Sequence, residues 1–268
     1  MQARIDFNLD LGESFGIWKM GEDEELLRCA TSINIACGFH AGDPNVMLRT
    51  VERALEFDLA IGAHPGLPDK QGFGRREMAL SGLEVYADML YQLGALSAMA
   101  CARDSWLMHV KPHGALYHMA EKDPVIASAI VRAVKAFDDQ LILVGFSGGK
   151  LLAHAESEGL RVAHEVFADR RYGSDGKLLP RTQPGAVIAT PEEAATQALS
   201  IVKKGGVTLS DGAFLSLRAD TVCLHGDKAR AARASAQRAC PAGSKRQTRL
   251  PHRQPHIAAC RKPLSRRW

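Results

Sequence analysis

Membrane-spanning and leader-like segments are absent from this sequence of 268 residues. No stretch reaches the roughly 18 consecutive apolar residues that a spanning helix needs, and the N-terminus opens directly into a strand-like run. The six cysteines show no CxxC spacing and are thinly spread for a disulfide framework. These absences predict a cytoplasmic protein without a membrane partner.

Acidic residues are absent from the last 41 residues, 228–268, which carry 12 Lys and Arg. The other 227 residues carry 22 basic and 30 acidic side chains, so the formal net charge of +4 joins an acidic body to a basic end. This end holds only three Val, Ile, Leu or Phe residues, and we therefore expect a poorly ordered tail. Its Arg, Ala, Pro and Ser richness resembles a coding sequence read in the wrong frame, with a genuine basic tail as the alternative.

The acidic body, residues 1–227, alternates strand-like runs with helices, which indicates one large α/β domain. Residues 5–11 alternate apolar and polar side chains with the period of two that suits a strand. Asp43 predicts a helix start, and Ser81 with Glu84 has the spacing of a capping box. About seven strand signals alternate with helices, a pattern typical of a parallel sheet or barrel.

Ionisable side chains follow nearly every predicted strand, at the carboxyl end where parallel α/β folds bind their ligands. In chain order they are Asp10 and Glu13, His40 and Asp43, His64 and Asp69, Lys111 and His113, Glu165, Asp169 and Arg170, and His225 and Asp227. A structural protein has little reason to repeat such residues at one position of successive units. The pattern therefore favours an enzyme over a scaffold.

Some of these side chains are of the types that bind a divalent metal. Asp10, His40 and His64 could converge on an ion from neighbouring strand ends, as could His113. Their spacing is not a compact metal motif, and loop histidines beside Gly and Pro often serve only in turns. A divalent metal is thus one of two open interpretations.

The same strand ends offer groups for acid–base chemistry. Lys111 could neutralise a developing oxyanion or a phosphate, and Asp10 or Glu13 could act as general base towards water. A structural ion pair between Lys111 and Glu13 is the alternative. Gly12 allows a sharp turn of the backbone that would bring Asn8, Asp10 and Glu13 into one cleft.

Two loops carry arginines that could bind an anionic substrate. Arg75 and Arg76 follow glycines in GFGRRE, and guanidinium groups grip carboxylates and phosphates bidentately. This segment lacks the Lys-Ser/Thr ending of a P-loop, so nucleotide binding by it alone is the minority interpretation. Asp169 and Arg170 stand in a long polar loop, where they could pair with each other or reach the cleft.

Seven motifs stand in one order along the chain. They are NLDLGESFG (8–16), NIACGFHAGDP (34–44), GAHPGLPD (62–69) with GFGRR (72–76), VKPHGALY (110–117), EVFADRRY (165–172), LLPR (178–181) and CLHGD (223–227). Together they resemble the LamB/YcsF family from about residue 5 to residue 227. The resemblance implies a seven-stranded, TIM-like β/α barrel similar to the glycoside hydrolase/deacetylase superfamily. The family usually continues into a final amphipathic helix, which the basic end does not resemble.

The resemblance also implies a hydrolase that acts on a cyclic amide. The family supplies the A subunit of an ATP-dependent 5-oxoprolinase, which works with subunits B and C to convert 5-oxo-L-proline into L-glutamate while ATP is hydrolysed. The expected catalytic residues are then Asp10, Glu13, His40, Lys111 and His113, and the expected substrate-binding residues are Asn8, His64, Arg75, Arg76, Asp169 and Arg170.

Two other functions remain as alternatives. The first is a stand-alone, metal-dependent amidohydrolase or deacetylase that uses the same Asp and His residues without ATP. The second is nucleic-acid binding by the basic tail, which would depend steeply on salt. The tail has one aromatic residue, Trp268, and no motif that reads bases, so we expect no nucleic-acid partner.

Overall fold

The computed structural model describes residues 5–20, 24–180 and 182–224, and within them seven parallel strands close into a barrel. The strands in chain order are β1 (Asp6–Leu11), β2 (Ser32–Ala36), β3 (Ala60–His64), β4 (His109–Val110), β5 (Ile142–Phe146), β6 (Arg161–Phe167), β7 (Gly206–Thr208), β8 (Phe214–Ser216) and β9 (Thr221–Leu224). Strands β1 to β6 pair in chain order, and β9 closes the barrel between β6 and β1. The predicted seven-stranded β/α barrel is confirmed.

The helices of the described ranges lie between the strands in sequence. They are α1 (Glu24–Cys29), α2 (Pro44–Glu56), α3 (Gly82–Cys101), α4 (Gly114–Lys122), α5 (Pro124–Asp138), α6 (Lys150–Ser157) and α7 (Pro191–Lys204). The sequence analysis did not predict α1, α4 or the antiparallel hairpin of β7 and β8. None of the helices in these ranges is long and apolar enough to cross a membrane.

The predicted helix starts are formed by side-chain caps. Asp43 accepts a hydrogen bond from the backbone N–H of Val46 at 2.9 Å, and this fixes the first turn of α2. Ser81 and Glu84 form the predicted capping box of α3, with each side chain accepting from the other's backbone N–H. Thr190 occupies the N-cap position of α7, but its side chain makes no capping hydrogen bond.

One side of the barrel interior is polar, because alternate residues of β1, β2 and β9 carry hydrogen-bonding side chains. Asp6 accepts hydrogen bonds from the hydroxyls of Ser32 at 2.8 Å and Thr221 at 2.6 Å. One layer higher, the Asn8 amide donates to the hydroxyl of Thr221 at 2.7 Å. The intervening residues of β1 are apolar and join the core that packs the barrel against the helices. Strand β1 thus separates an apolar outer layer from a hydrogen-bonded side of the interior, whereas Ile142, Val144 and Ala163 on β5 and β6 form a small apolar cluster of their own.

The predicted division of the chain is only partly covered by the described residues. The barrel segment predicted over 1–227 is described up to residue 224, so His225 and Asp227 lie outside the described residues. The tail predicted over 228–268 also lies outside them.

Candidate active site

A buried lysine lies between two carboxylates at the carboxyl end of the barrel. The Nζ atom of Lys111 is 2.8 Å from Asp10 Oδ1 and 2.8 Å from Glu165 Oε1, and it also donates to Asn8 Oδ1 at 3.1 Å. Burial opposes the charge of this ammonium, but the two carboxylates outweigh it and hold the pKa of Lys111 well above its usual value. Lys111 is therefore a permanent cation whose donors are taken up by these partners.

Glu165 is fixed from both sides. Its Oε2 accepts a hydrogen bond from the Tyr117 hydroxyl at 2.7 Å, while Oε1 faces Lys111. Burial raises the pKa of Tyr117 well above its usual value, so the hydroxyl keeps its proton. Glu165 therefore anchors Lys111, whereas the second oxygen of Asp10 points towards His64, whose Nε2 lies 3.5 Å away.

Asn34 and His109 orient the carboxylate of Asp10 from inside the barrel. The amide nitrogen of Asn34 donates to Asp10 Oδ1 and to Asn8 Oδ1, each at 2.8 Å, and His109 Nε2 lies 2.7 Å from Asn34 Oδ1. Because an amide oxygen only accepts, Nε2 of His109 carries the proton. Burial lowers the pKa of His109 to about 3, so the ring is neutral at neutral pH.

Two glycine positions make this packing feasible. A Cβ added at Gly62 would lie 2.0 Å from His109 Nε2, and one added at Gly66 would lie 2.5 Å from His40 Nδ1. Real Cβ atoms do not approach other atoms so closely, so each histidine ring occupies the space that glycine leaves. The His109 and His40 rings can therefore lie here only because residues 62 and 66 are glycines.

Three histidines and one glutamate form a second group beside the ion pairs. Glu13, His40, His64 and His113 each offer one potential ligand atom, and these four atoms lie within 4.8 Å of one another. His113 Nδ1 is 3.0 Å from His64 Nε2, and the rings of His40 and His113 stack with centroids 3.7 Å apart. Burial lowers the pKa of His40 and of His113 well below the usual value, which favours neutral imidazoles.

This group differs from the predicted metal ligands Asp10, His40 and His64. The two histidines belong to it, but Asp10 does not, because its Oδ1 is held by Lys111 and by the amide of Asn34. Glu13 supplies the carboxylate instead, with Oε1 3.5 Å from His40 Nε2. The donor set of three imidazoles and one carboxylate is one that can hold a divalent transition metal.

The two groups face one open cavity of about 820 Å³ at the carboxyl end of the barrel. The acid–base groups in its wall are Asp10, Glu13, His64, Lys111 and His113. The aromatic part of the wall consists of Tyr117, Phe146 and Phe167, and the cationic part of Arg75, Lys122 and Arg170. A small, polar, anionic molecule would find both charged and flat surfaces here.

The model of the LamB/YcsF family matches residues 5–250 of this sequence, which is most of the chain. The chain belongs to the LamB/YcsF family. The match extends past residue 227, where the quoted motifs end, into the basic end of the sequence.

Two named relatives and one solved structure are similar to this chain over most of its length. The 5-oxoprolinase A subunit of Methylococcus capsulatus is 56% identical over 227 residues, covering 85% of this chain and 87% of the relative. The 5-oxoprolinase A subunit of Geobacillus kaustophilus is 54% identical over 229 residues, covering 85% and 89%. The solved lactam utilization protein of Thermus thermophilus superposes with a TM-score of 0.85 at 49% identity, covering 88% of this chain and 95% of that chain.

The structure brings most of the predicted site residues of this LamB/YcsF protein to one place. Asp10, Glu13, His64, Lys111 and His113 line the cavity together with Arg75 and Arg170. Asn8 and His40 lie directly behind this wall, where Asn8 accepts from Lys111 and His40 stacks on His113. The residues predicted from separate strand ends therefore form one site.

Two predicted substrate-binding residues are placed elsewhere. Arg76 makes a two-point ion pair with Asp69, and this pairing is the main cause that lowers the pKa of Asp69 to about 2. Asp169 is buried and is not among the described residues that line the cavity. Of the residues considered in the two arginine-bearing loops, Arg75 and Arg170 are the ones that line the cavity.

Several functional neighbours were not assigned a role from the sequence. Glu165 had been noted only as a strand-end residue, and Tyr117, Asn34 and His109 had not been selected. The signal for Asn34 is that it follows Ser32 by two residues in β2, and the signal for His109 is that it is the polar residue of β4. One strand alone does not reveal whether the barrel interior contains partners for such polar side chains, so their role could not be predicted from the strand pattern.

Proposed function

We propose that this chain is the A subunit of a cytoplasmic, ATP-dependent 5-oxoprolinase that acts with partner subunits B and C. The observation that supports this assignment is the 56% identity to a 5-oxoprolinase A subunit over 227 residues, which is 85% of this chain. The substrate is 5-oxo-L-proline, and the product is L-glutamate.

The chemistry explains why ATP is needed. A five-membered lactam is a stable amide, and transfer of a phosphoryl group from ATP to its oxygen makes the ring carbon a better electrophile. Water then adds to this carbon, and the ring C–N bond breaks as the nitrogen takes up a proton, which leaves a γ-glutamyl phosphate. A second water displaces phosphate from this acyl phosphate to give L-glutamate, so two waters are consumed for each ATP converted to ADP and phosphate. ATP is a cosubstrate of the whole complex in this proposal, and a divalent ion bound by the glutamate–histidine group is a further cofactor.

Asp10 is the residue best placed to accept the proton of the attacking water. Its Oδ1 is held by Lys111 and Asn34, and its Oδ2 is directed towards His64 at the cavity wall. The ammonium of Lys111 favours the charged form of this carboxylate, which is the form that can act as a base. Lys111 thus acts through Asp10, rather than by direct contact with an oxyanion as the sequence had suggested.

Arg75 is the candidate for binding the substrate carboxylate. Its guanidinium lies over the ring of Phe73, 5.0 Å from the centroid, and the side chain is exposed on the cavity wall. A planar cation held in this way can form two hydrogen bonds to a carboxylate. Arg75→Lys should raise KM for 5-oxo-L-proline more than it lowers kcat, with Arg76→Lys as the neighbouring control.

The proposal is tested by glutamate release from 5-oxo-L-proline in a reconstituted complex. We expect release only when ATP and all three subunits are present. Asp10→Asn should abolish release in a chain that keeps the wild-type circular dichroism spectrum, although its Tm should fall because Lys111 loses one of its two carboxylates. Release without ATP or partner subunits would instead support the stand-alone amidohydrolase. No release by any combination that contains the folded wild-type chain would contradict the assignment.

A further inference from the structure

We propose that Glu13, His40, His64 and His113 form a site for one first-row transition-metal ion of the Zn²⁺ type, set in the cavity wall. This inference specifies the ligands and the ion class of the cofactor in the proposed function. It rests on hydrogen-bond directions, burial and distances within this group, and its test does not require turnover.

A backbone carbonyl fixes the tautomer of His64. Its Nδ1 lies 2.7 Å from the backbone carbonyl oxygen of Lys111, and a carbonyl oxygen can only accept. Nδ1 therefore carries a proton, which leaves Nε2 of the neutral ring with a bare lone pair. This lone pair points into the group, towards His113.

A second backbone carbonyl fixes the tautomer of His113. Its Nε2 lies 2.8 Å from the backbone carbonyl oxygen of Phe73, so Nε2 is protonated and Nδ1 is bare. Backbone carbonyls and carboxylates are the usual outer partners of metal-binding histidines, because they fix the tautomer and the ring orientation. Both rings are thus held with their free lone pairs directed inward.

The two bare nitrogens lie only 3.0 Å apart. In the two neutral tautomers defined by these carbonyls, the lone pairs face each other, which is unfavourable unless a proton or a metal cation lies between them. Ligands bound to one ion at ordinary Zn–N distances are roughly 3.0 Å apart at a right angle and roughly 3.4 Å apart at a tetrahedral angle. The observed spacing of 3.0 Å matches two adjacent ligands of one metal, so this pair can bind an ion without moving apart.

His40 gives an independent indication. Its ring is 1% exposed, and neither of its nitrogens makes a hydrogen bond within the described part of the chain. A buried nitrogen without a partner is costly, and its Nε2 lies 3.5 Å from Glu13 Oε1. A metal held between them would satisfy this ring and would be balanced by the charge of the glutamate.

The donor set selects the class of ion. Three imidazole nitrogens and one carboxylate oxygen suit Zn²⁺, Co²⁺ and related ions, whereas Mg²⁺ and Ca²⁺ prefer oxygen ligands. Glu13, His64 and His113 line the cavity, so an ion held by them would be reachable by substrate. When bound, such an ion would supply a Lewis acid next to Asp10.

The test measures metal binding by the full-length chain after treatment with a chelator. The protein is titrated with Zn²⁺ by calorimetry and with Co²⁺ by visible absorption, and bound metal is counted by elemental analysis. We expect Glu13→Gln and His40→Ala to weaken binding at one site by about tenfold or more. The matched control His154→Ala, on helix α6, should bind like the wild type.

Folding is checked in the same samples. Each variant should give the wild-type circular dichroism spectrum without metal, and Zn²⁺ should raise the Tm of the wild type and of His154→Ala but not of the two ligand variants. Glu13→Gln preserves shape and serves if His40→Ala fails to fold. Co²⁺ spectra and affinities identical in the wild type and in Glu13→Gln, or no binding by the folded wild type, would overturn the proposal.

Discussion

Replacing Asn34 by alanine should impair catalysis through Asp10, although Asn34 does not line the cavity. The substitution removes the two donor contacts of 2.8 Å to Asp10 and Asn8, and it leaves the Nε2–H of His109 buried without its acceptor. A hydrogen bond to a charged group contributes about 1.5–3 kcal/mol, and a buried unsatisfied donor costs about 1–3 kcal/mol. We therefore expect a loss of about 2–4 kcal/mol in the free energy of unfolding.

The effect on the reaction has a sign that can be worked out. The Asn34 donor stabilises the charged carboxylate of Asp10, so its loss makes protonation of Asp10 easier. The acid limb of the kcat profile should therefore move to higher pH. At neutral pH, kcat for glutamate release should fall by about 10- to 100-fold, since Asp10 is no longer held in one orientation.

Ser32→Ala is the matched control, because Ser32 lies two residues earlier on β2 and also donates into the barrel, to Asp6 Oδ2 at 2.8 Å. It should lower stability without moving the acid limb. The assay is the pH dependence of kcat in the reconstituted complex, with urea denaturation of the same samples. If Asn34→Ala leaves the acid limb in place, or if Ser32→Ala moves it equally, Asn34 is only structural and the reasoning is wrong.

Three further substitutions test other contacts of the structure. Gly62→Ala should destabilise the chain by about 3 kcal/mol or prevent folding, because its Cβ would lie 2.0 Å from His109 Nε2, and an unchanged urea midpoint would contradict this packing. Lys111→Met should abolish glutamate release and cost about 3–5 kcal/mol in stability, because it leaves two buried carboxylates without their cation. Arg76→Ala should lower Tm in full above pH 4. The pairing with Arg76 depresses the pKa of Asp69 from the unfolded value of 3.8 to about 2, so the stabilisation is present above pH 3.8 and is lost as pH falls through 2. Equal Tm differences for Arg76→Ala at pH 2 and pH 6 would show that the pairing is not responsible.

The barrel was predictable because each of its strands is a short run bounded by turn residues. Residues 5–11 alternate strictly, and the described structure places β1 at Asp6–Leu11. By contrast, α4 follows His113 directly, and no side chain caps its first turn. A helix without a capping signal is difficult to separate from the loop before it, which explains why α4 was missed.

The strand ends that form the site were predictable from the sequence, but the ion pairs and hydrogen bonds between their side chains were not. Lys111 was expected to pair with Glu13 or to contact substrate, whereas the structure gives it Asp10 and Glu165 as ion-pair partners. Sequence order does not state which side chains face each other across a closed barrel. For the same reason, the sequence suggested Asp10 as a metal ligand beside His40 and His64, whereas the group of potential ligand atoms in the described residues contains Glu13.

The closing strand β9 has a consequence for how the protein is made. Its residues pair with β1 on one side and with β6 on the other, so both of those strands keep an open edge until residue 224 has left the ribosome. The hydroxyl of Thr221 and the thiol of Cys223 also reach Asn8 and Lys111 from this strand. A nascent chain that contains every other barrel strand but lacks β9 therefore exposes two unpaired strand edges, which are the kind of surface that pairs with other chains.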